Sequence, residues 1–159
     1  MYKGVFFLLI GLIFLNSCKY PCGNSEVKTA FIKFPPTELD TIVLRAYQPH
    51  NNYQHLIDTI LIAINDGRSV YTTRNDTTFI AVNDSNPLHN IFPGYDWQIY
   101  IPSIRKTVSI SNITSENKEG SKTCRNPITS FNQDGQMVHP TYVNSHYIYT
   151  SGYIVYINF

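Results

Sequence analysis

Cysteine carries the most reactive side chains of this chain, and two of its three cysteines directly follow the most apolar segment. Residues 5–15 are apolar apart from Gly11, and Cys18 and Cys22 come shortly after them, with Cys124 far along the chain. A thiol can pair in a disulfide, take up a lipid or ligate a metal. A structural zinc site needs four ligands, and no further cysteine or His cluster accompanies these three. Metal binding is therefore not expected.

The first seventeen residues have the layout of a secretory signal. Lys3 is the only charge before the apolar run. That run would span roughly 16 Å as a helix, about half of a ~30 Å hydrocarbon core, which argues against a permanent single-pass anchor. The sequence Leu-Asn-Ser-Cys at 15–18 resembles the lipobox of bacterial lipoproteins, in which Leu stands three residues before the cysteine and a small residue just precedes it.

This resemblance implies that Cys18 is thioether-linked to a diacylglyceryl group and becomes the acylated N-terminus after cleavage. Two or more acyl chains hold a protein stably on a bilayer, whereas a single chain gives marginal binding. The alternative is an ordinary signal peptide cut nearby, with Cys18 free or paired.

The two remaining cysteines are expected to pair with each other. The signal directs the chain out of the cytoplasm, and compartments beyond the inner membrane are oxidising. A Cys22–Cys124 bond would close a loop of about 100 residues and remove roughly 4.7 kcal/mol of unfolded-state entropy in the chain-entropy model. The bond would also fix the tether covalently to the domain, close to the membrane.

The composition describes one small neutral domain. Removal of residues 1–17 leaves 142 of the 159, a usual domain size. Lys3 leaves with the signal, so eleven basic residues balance eleven acidic ones. Such a surface has no electrostatic footprint for nucleic acid and no polybasic stripe for anionic lipid. We expect a lipoprotein signal peptide at 1–17, a lipidated tether at 18–26, one domain at 27–159 and no nucleic-acid partner.

Short alternating segments separated by turn residues predict an all-β domain. Tyr, Thr, Ile, Ser and Asn abound, and no amphipathic helix of useful length occurs. Turns every eight to twelve residues are typical of a sandwich. We expect a single β-sandwich, immunoglobulin-like or transthyretin-like, of about seven to eight short antiparallel strands. The predicted strands are 28–34, 40–48, 57–64, 69–73, 78–82, 96–101, 107–113 and 147–159.

Alternation within these strands predicts which side chains face the core. Residues 57–64 are nearly continuously apolar, as expected of a central strand covered on both faces, and the Asn-Asp-Gly sequence at 65–67 predicts a tight hairpin turn after them. Residues 115–135 lack an apolar period and predict a long loop ordered by Cys124, either a clamped surface loop or a binding loop. The predicted inward residues are Ile42, Leu44 and Ala46, then Trp97, Ile99 and Ile101, then Val108 and Ile110.

The sequence provides no catalytic constellation. Its five histidines form no H-x-H, H-x-x-x-H or H-E-x-x-H pair and lie beside no cysteine at metal-ligand spacing. A G-x-S-x-G elbow, a phosphate-cradling glycine loop and a nucleotide fingerprint are all missing. His50 and His55 flank one predicted turn and are expected to be solvated. We therefore expect no enzyme activity, no cofactor and no metal.

Aromatic residues are the remaining candidates for ligand binding. Twelve tyrosines and one tryptophan offer large contact areas at low entropic cost, most densely in the C-terminal HYIYTSGYIVYINF. An exposed face of such rings would bind a glycan or a peptide. The alternative is cross-strand packing with the hydroxyl at the rim. The candidate ligand-binding residues are Trp97, Tyr147, Tyr149 and Tyr153.

Three Asp-Thr pairs, at 40–41, 58–59 and 76–77, lie at or next to the start of a predicted strand. They resemble the Asp-Ser/Thr-hydrophobic O-glycosylation motif of extracytoplasmic Bacteroidetes proteins, and the mature chain as a whole resembles small uncharacterised lipoproteins of that group. The resemblance implies that Thr41, Thr59 and Thr77 are candidate O-glycosylation sites and project outward. The alternative is that Asp-Thr simply opens a strand.

Together these features predict a protein held by a lipid in the outer membrane, with a structural or interaction role in the envelope. Residues 19–21 carry no acidic residue of the kind that resembles a surface-export signal in Bacteroidetes lipoproteins, so we expect the domain to face the periplasm, with the cell surface as the alternative. The expected partners are the membrane and an envelope protein or glycan. The alternative function is a glycan- or peptide-binding module.

Overall fold

Two large β-sheets that share one apolar core contain most of the described residues. The computed structural model describes residues 20–63, 69–82, 90–121, 124–143 and 152–158. Its architecture confirms the predicted all-β sandwich. The strands are β1 (Tyr20–Pro21), β2 (Gly23–Asn24), β3 (Val27–Ile32), β4 (Thr41–Tyr47), β5 (Leu56–Ala63), β6 (Ser69–Arg74), β7 (Thr77–Val82), β8 (Asp96–Ile101), β9 (Lys106–Ser115), β10 (Glu119–Gly120), β11 (Arg125–Asn126), β12 (Ile128–Gln133), β13 (Gln136–Val138), β14 (Tyr142–Val143) and β15 (Gly152–Asn158).

Regular helix is limited, within the described ranges, to two short 3₁₀ turns at Pro36–Glu38 and Pro102–Ile104. No helix there is long and apolar enough to cross a bilayer. The signal at 1–17, Cys18 and the turn at 65–67 lie outside the described residues.

The six-stranded sheet has the order β13-β12-β9-β8-β4-β5, with every neighbouring pair antiparallel. Its predicted inward faces are confirmed, because all eight predicted residues are buried in the core: Ile42, Leu44, Ala46, Trp97, Ile99, Ile101, Val108 and Ile110. Trp97 is fully buried there, and its indole nitrogen donates a hydrogen bond to the Phe92 carbonyl at 3.0 Å. The alternation therefore identified the core face of this sheet correctly.

The five-stranded sheet has the order β14-β15-β3-β7-β6. Two neighbouring strands of this sheet, β3 and β15, are parallel, with Val27 opposite Tyr153 and Ile32 opposite Asn158. This differs from the expected purely antiparallel arrangement. Alternation shows which face of a strand is buried but carries no information on strand direction, so the pattern gave no warning of the parallel pair.

Residues 57–64 were expected to form a central strand, and this prediction is wrong. The corresponding strand, β5, is an edge of the six-stranded sheet in the described part of the chain. Ile60 and Ile62 face the core, whereas Leu56 and Leu61 are about half exposed. An apolar outer face makes an edge strand look like a buried one in a sequence.

The loop expected at 115–135 contains strands, so this prediction is also wrong. β12 pairs with β9 across two irregularities in register, and its Ile128 and Phe131 are buried in the core. Because Thr and Ser fill most of the positions between them, the apolar period is too short to recognise. The described residues hold fifteen strands rather than seven to eight, since this segment and the chain around Cys22 add several short ones.

Candidate functional site

A disulfide joins the start of the described chain to the segment after β10. The Cα atoms of Cys22 and Cys124 lie 4.9 Å apart and the two sulfur atoms are bonded, which confirms the predicted pairing. Around the bond, β1 pairs antiparallel with β10, and β2 pairs parallel with β11. We call residues 20–26, 116–121 and 124–126 the clasp.

Asn126 supplies the polar centre of the clasp. Its side chain is almost fully buried, accepts a hydrogen bond from the Lys118 amide at 2.8 Å and donates one to the Cys22 carbonyl at 3.1 Å. Its own carbonyl accepts a hydrogen bond from the Ser25 hydroxyl. A single amide side chain thus satisfies backbone groups of both chain segments, as buried polar groups require.

Arg125 lies on the outside of the clasp. It is opposite Gly23 in the β2–β11 pair, and a Cβ atom on that glycine would come within 2.8 Å of the guanidinium. The absence of a side chain at residue 23 therefore lets the guanidinium lie against the backbone. The guanidinium donates one long hydrogen bond, at 3.4 Å, to the neighbouring Cys124 carbonyl.

A cleft of about 330 Å³ opens between the clasp and the edge of the five-stranded sheet. Its aromatic wall is formed by Tyr142 and Tyr153, whose rings meet edge to face at 5.3 Å. Tyr142 is 53% exposed, and Tyr153 is half-buried. We call this the clasp cleft. It is lined by Asn24, Ser25, Glu26, Phe92, Arg125, Tyr142, Gly152 and Tyr153.

A second cleft, of about 470 Å³, lies between the β12–β13 hairpin and β15. Tyr156, 43% exposed, provides its large ring, and the Gln133 side-chain amide donates a hydrogen bond to the Tyr156 carbonyl at 3.0 Å. His139 Nδ1 lies 3.0 Å from the Thr129 carbonyl, so a neutral ring there carries its proton on Nδ1. We call this the amide cleft. It is lined by Gln133, Asp134, Gln136, Val138, His139, Pro140, Thr141, Ile154, Tyr156 and Asn158.

The candidate aromatic residues do not form one exposed face. The prediction that Trp97 binds a ligand is wrong, because Trp97 is fully buried in the core and cannot line a binding surface. Tyr153 lines the clasp cleft, and Tyr147 and Tyr149 lie outside the described residues. Alternation could have warned against Trp97, since it shares a face with two core isoleucines.

Sequence reasoning missed three residues that line the two clefts. Tyr142 and Tyr156 carry the exposed rings, and Arg125 carries the charge of the clasp cleft. Tyr156 lies on the opposite face of β15 from the core residues Val155 and Ile157, which was the available signal. Tyr142 and Arg125 lie in two-residue strands, which have no period to recognise.

The candidate glycosylation sites differ in accessibility. Thr59 is exposed on the outer face of β5, whereas Thr41 and Thr77 are half-buried at the starts of β4 and β7. The Asp58 carboxylate accepts a hydrogen bond from the Thr59 amide at 2.8 Å, and both residues lie inside β5 rather than at its start. Thr59 is the most accessible of the three.

A polar cluster also lies on the outer face of the six-stranded sheet, where the β4–β5 turn folds back. Three residues of that turn, His50, Asn52 and Tyr53, have positive φ, and the His50 amide donates a hydrogen bond to the buried Asp96 carboxylate at 2.9 Å. Burial raises the pKa of the Tyr53 hydroxyl, Asp96 acts in the same direction, and a hydrogen bond with Ser111 opposes them. His50 and His55 are exposed, as expected of turn histidines.

Within the described ranges, no group of three or more His, Cys, Asp or Glu residues is arranged to hold a metal ion. The chain matches no family model, no curated protein and no solved structure.

Proposed function

We propose that this protein is a lipid-anchored envelope protein, held through Cys18 in the outer membrane, with a non-catalytic structural or interaction role. The disulfide is the observation that supports this proposal, because it fixes the chain to the domain only four residues after Cys18. Four extended residues reach at most about 14 Å. An acylated Cys18 would therefore hold the domain close against the bilayer, with the domain facing the periplasm.

Metabolic labelling with an alkyne fatty acid tests the anchor. The full-length protein should take up the label, and a Cys18→Ala variant should not. A matched Cys22→Ser variant should still be labelled, because Cys22 is assigned to the disulfide. An unlabelled protein, or equal labelling of the Cys18→Ala variant, would reject the proposal.

A second proposal is that the amide cleft binds a glycan or a peptide. The supporting observation is an exposed tyrosine ring beside several amide side chains, among them Gln133 and Gln136. Aromatic rings stack on apolar faces, and planar amides both donate and accept hydrogen bonds to hydroxyl or peptide groups. No group in this cleft needs to react for binding to occur.

Binding of the purified full-length protein to glycan and peptide arrays tests the second proposal. A Tyr156→Ala variant should lose the bound ligands, and a Tyr142→Ala variant should keep them, because Tyr142 is at least as accessible but lines the clasp cleft. Equal binding by both variants, or no ligand on either array, would reject the amide cleft as a binding site.

A further inference from the structure

If Cys18 is acylated as proposed above, the clasp cleft lies next to the bilayer. Asn24 and Arg125, which line the cleft, are two residues and one residue from the bonded cysteines Cys22 and Cys124. The tether between Cys18 and Cys22 reaches at most about 14 Å. An acylated Cys18 would therefore keep the cleft near the zone in which lipid headgroups lie.

The charges of the clasp cleft leave one cation uncompensated. The Glu26 carboxylate is paired with Lys28 at 2.6 Å. No carboxylate of the described residues lies within ion-pair distance of Arg125, whose guanidinium donates only the long hydrogen bond to its neighbour's carbonyl. Most of the five N–H donors of this guanidinium are thus available to an anion.

The surroundings of Arg125 suit an anion that has a nonpolar or hydroxylated part. A guanidinium binds phosphate through two parallel hydrogen bonds, and this geometry makes arginine a common phosphate ligand. Tyr142 adds a hydroxyl donor and, with Tyr153, an apolar wall of the same cleft. One arginine in a shaped cleft, without a basic stripe around it, recognises a single phosphate group rather than a charged surface.

We infer that the clasp cleft binds the phosphate of a phospholipid headgroup in the bilayer to which the protein is anchored. Arg125 holds the phosphate oxygens, and Tyr142 and Tyr153 pack against the remainder of the headgroup. A phospholipid is favoured over a glycan or a peptide because the tether places this class of molecule at the mouth of the cleft. Bound headgroup would fix the orientation of the domain on the membrane, which acyl chains alone leave free.

Photo-cross-linking of the full-length protein in growing cells tests this inference. The sensor is Tyr142→p-benzoylphenylalanine, in cells whose lipids are labelled with ³²P. We expect cross-linked ³²P-lipid at this position. The control is Met137→p-benzoylphenylalanine, because Met137 is 69% exposed but lines neither cleft, and no labelled lipid is expected there.

Three further substitutions, each combined with the Tyr142 sensor, distinguish lipid bound in the cleft from lipid that is merely close to it. Arg125→Gln should lower the cross-linked lipid about tenfold, the effect of losing one charge-assisted hydrogen-bonded contact. Gly23→Ala should lower it by a smaller factor, because the new methyl group displaces the guanidinium without removing its charge. Arg105→Gln, at an exposed arginine outside the cleft, should leave the yield unchanged.

The same sensor protein, purified and placed in vesicles, identifies the ligand. Cross-linking should occur in vesicles of phosphatidylethanolamine and phosphatidylglycerol and should be lost in vesicles of monogalactosyldiacylglycerol, which has no phosphate. Equal yields with the two kinds of vesicle, equal yields from positions 142 and 137, or insensitivity to Arg125→Gln would each overturn the inference. A glycan or peptide adduct at position 142 would do the same.

These outcomes are distinguishable from failure of the anchor, which is measured independently by alkyne fatty acid labelling at Cys18. A labelled protein that shows no Arg125-dependent lipid adduct keeps the anchor and loses the headgroup site.

Discussion

The clasp is held by one covalent bond and by hydrogen bonds that converge on Asn126, whereas the sandwich is held by Trp97, Phe131 and the aliphatic side chains around them. In the clasp, the strands are only two residues long and most side chains are exposed. In the sandwich, long strands bury alternate residues. The clasp therefore obtains its order from a cross-link, and the sandwich from removal of apolar surface from water.

This difference explains where each region can carry function. A segment ordered by apolar packing must use its side chains for that packing, as Trp97 does. A segment ordered by a disulfide and a buried amide leaves a side chain such as that of Arg125 available for a ligand. The comparison predicts that the two regions respond differently to loss of their main supports.

The largest effect is expected from Trp97→Ala. The change removes a fully buried ring and leaves a cavity among Ile99, Ile110 and other core residues, so we expect the free energy of unfolding to fall by about 4 kcal/mol. Chemical denaturation of the full-length protein measures it. Tyr100→Ala, on the outer face of the same strand, is the control and should cost far less. A loss of equal size in both variants would contradict the assignment of the core to the Trp97 face.

The next largest effect is expected from the paired change Cys22→Ser and Cys124→Ser. Loss of the cross-link should lower the free energy of unfolding by about 3 kcal/mol, less than the chain-entropy value of roughly 4.7 kcal/mol because an unfolded chain with residual structure gains less freedom. Hydrogen exchange of backbone amides should locate the change: amides of the clasp lose protection first, whereas those of β4 and β8 stay protected in the native state. Uniform loss of protection across both regions would show that the clasp is not a separate unit.

Asn126→Ala sharpens the comparison within the clasp, because it keeps the disulfide and removes the amide. The Lys118 amide and the Cys22 carbonyl lose their partners, so we expect a loss of about 2 kcal/mol. Faster exchange of the Lys118 amide is the specific readout. Asn158→Ala, an exposed asparagine on β15, should change stability by less than about 0.5 kcal/mol. Equal effects of the two variants would contradict the role given to Asn126.

The sandwich could be predicted from the sequence because its information is periodic. Residues 96–101 alternate so regularly that both the bounds of β8 and its buried face were predicted correctly. The edge position of β5 and the direction of β15 relative to β3 were not predicted. The outer face of β5 is as apolar as a buried face, and alternation is the same for parallel and antiparallel pairs. The local sequence determines which residues form a strand, whereas the order of strands in a sheet depends on contacts between distant segments.

The clasp was predictable only through its cysteines. The sequence predicted the pair because the lipobox resemblance assigned Cys18 to a lipid and left two cysteines in an expected oxidising compartment. Asn126 and Arg125 acquire their roles from chain segments about 100 residues away, and an isolated asparagine or arginine carries no pattern that reveals such a contact. The binding residues of the clasp cleft were therefore outside the reach of sequence reasoning, except for Tyr153.

The smallest effect is expected from Tyr53→Phe, which examines the polar cluster on the outer face of the sandwich. Burial raises the pKa of the Tyr53 hydroxyl above its value of 10.0 in an unfolded chain, with Asp96 adding to the rise. The unfolded state therefore ionises first as the pH rises, so the contribution of Tyr53 to stability is complete below pH 10 and is lost as the pH rises through the folded-state pKa.

Denaturation of the wild-type protein and the Tyr53→Phe variant, measured at a series of alkaline pH values, tests this dependence. The stability of the variant should decline less steeply above pH 10, because phenylalanine has no proton to lose. Solvent screens the half-buried hydroxyl, which makes the difference small compared with the losses at Trp97 and the disulfide. Parallel curves for the two proteins would mean that the Tyr53 hydroxyl is solvated in the native state, and the turn that holds it against the sheet would then have to be open.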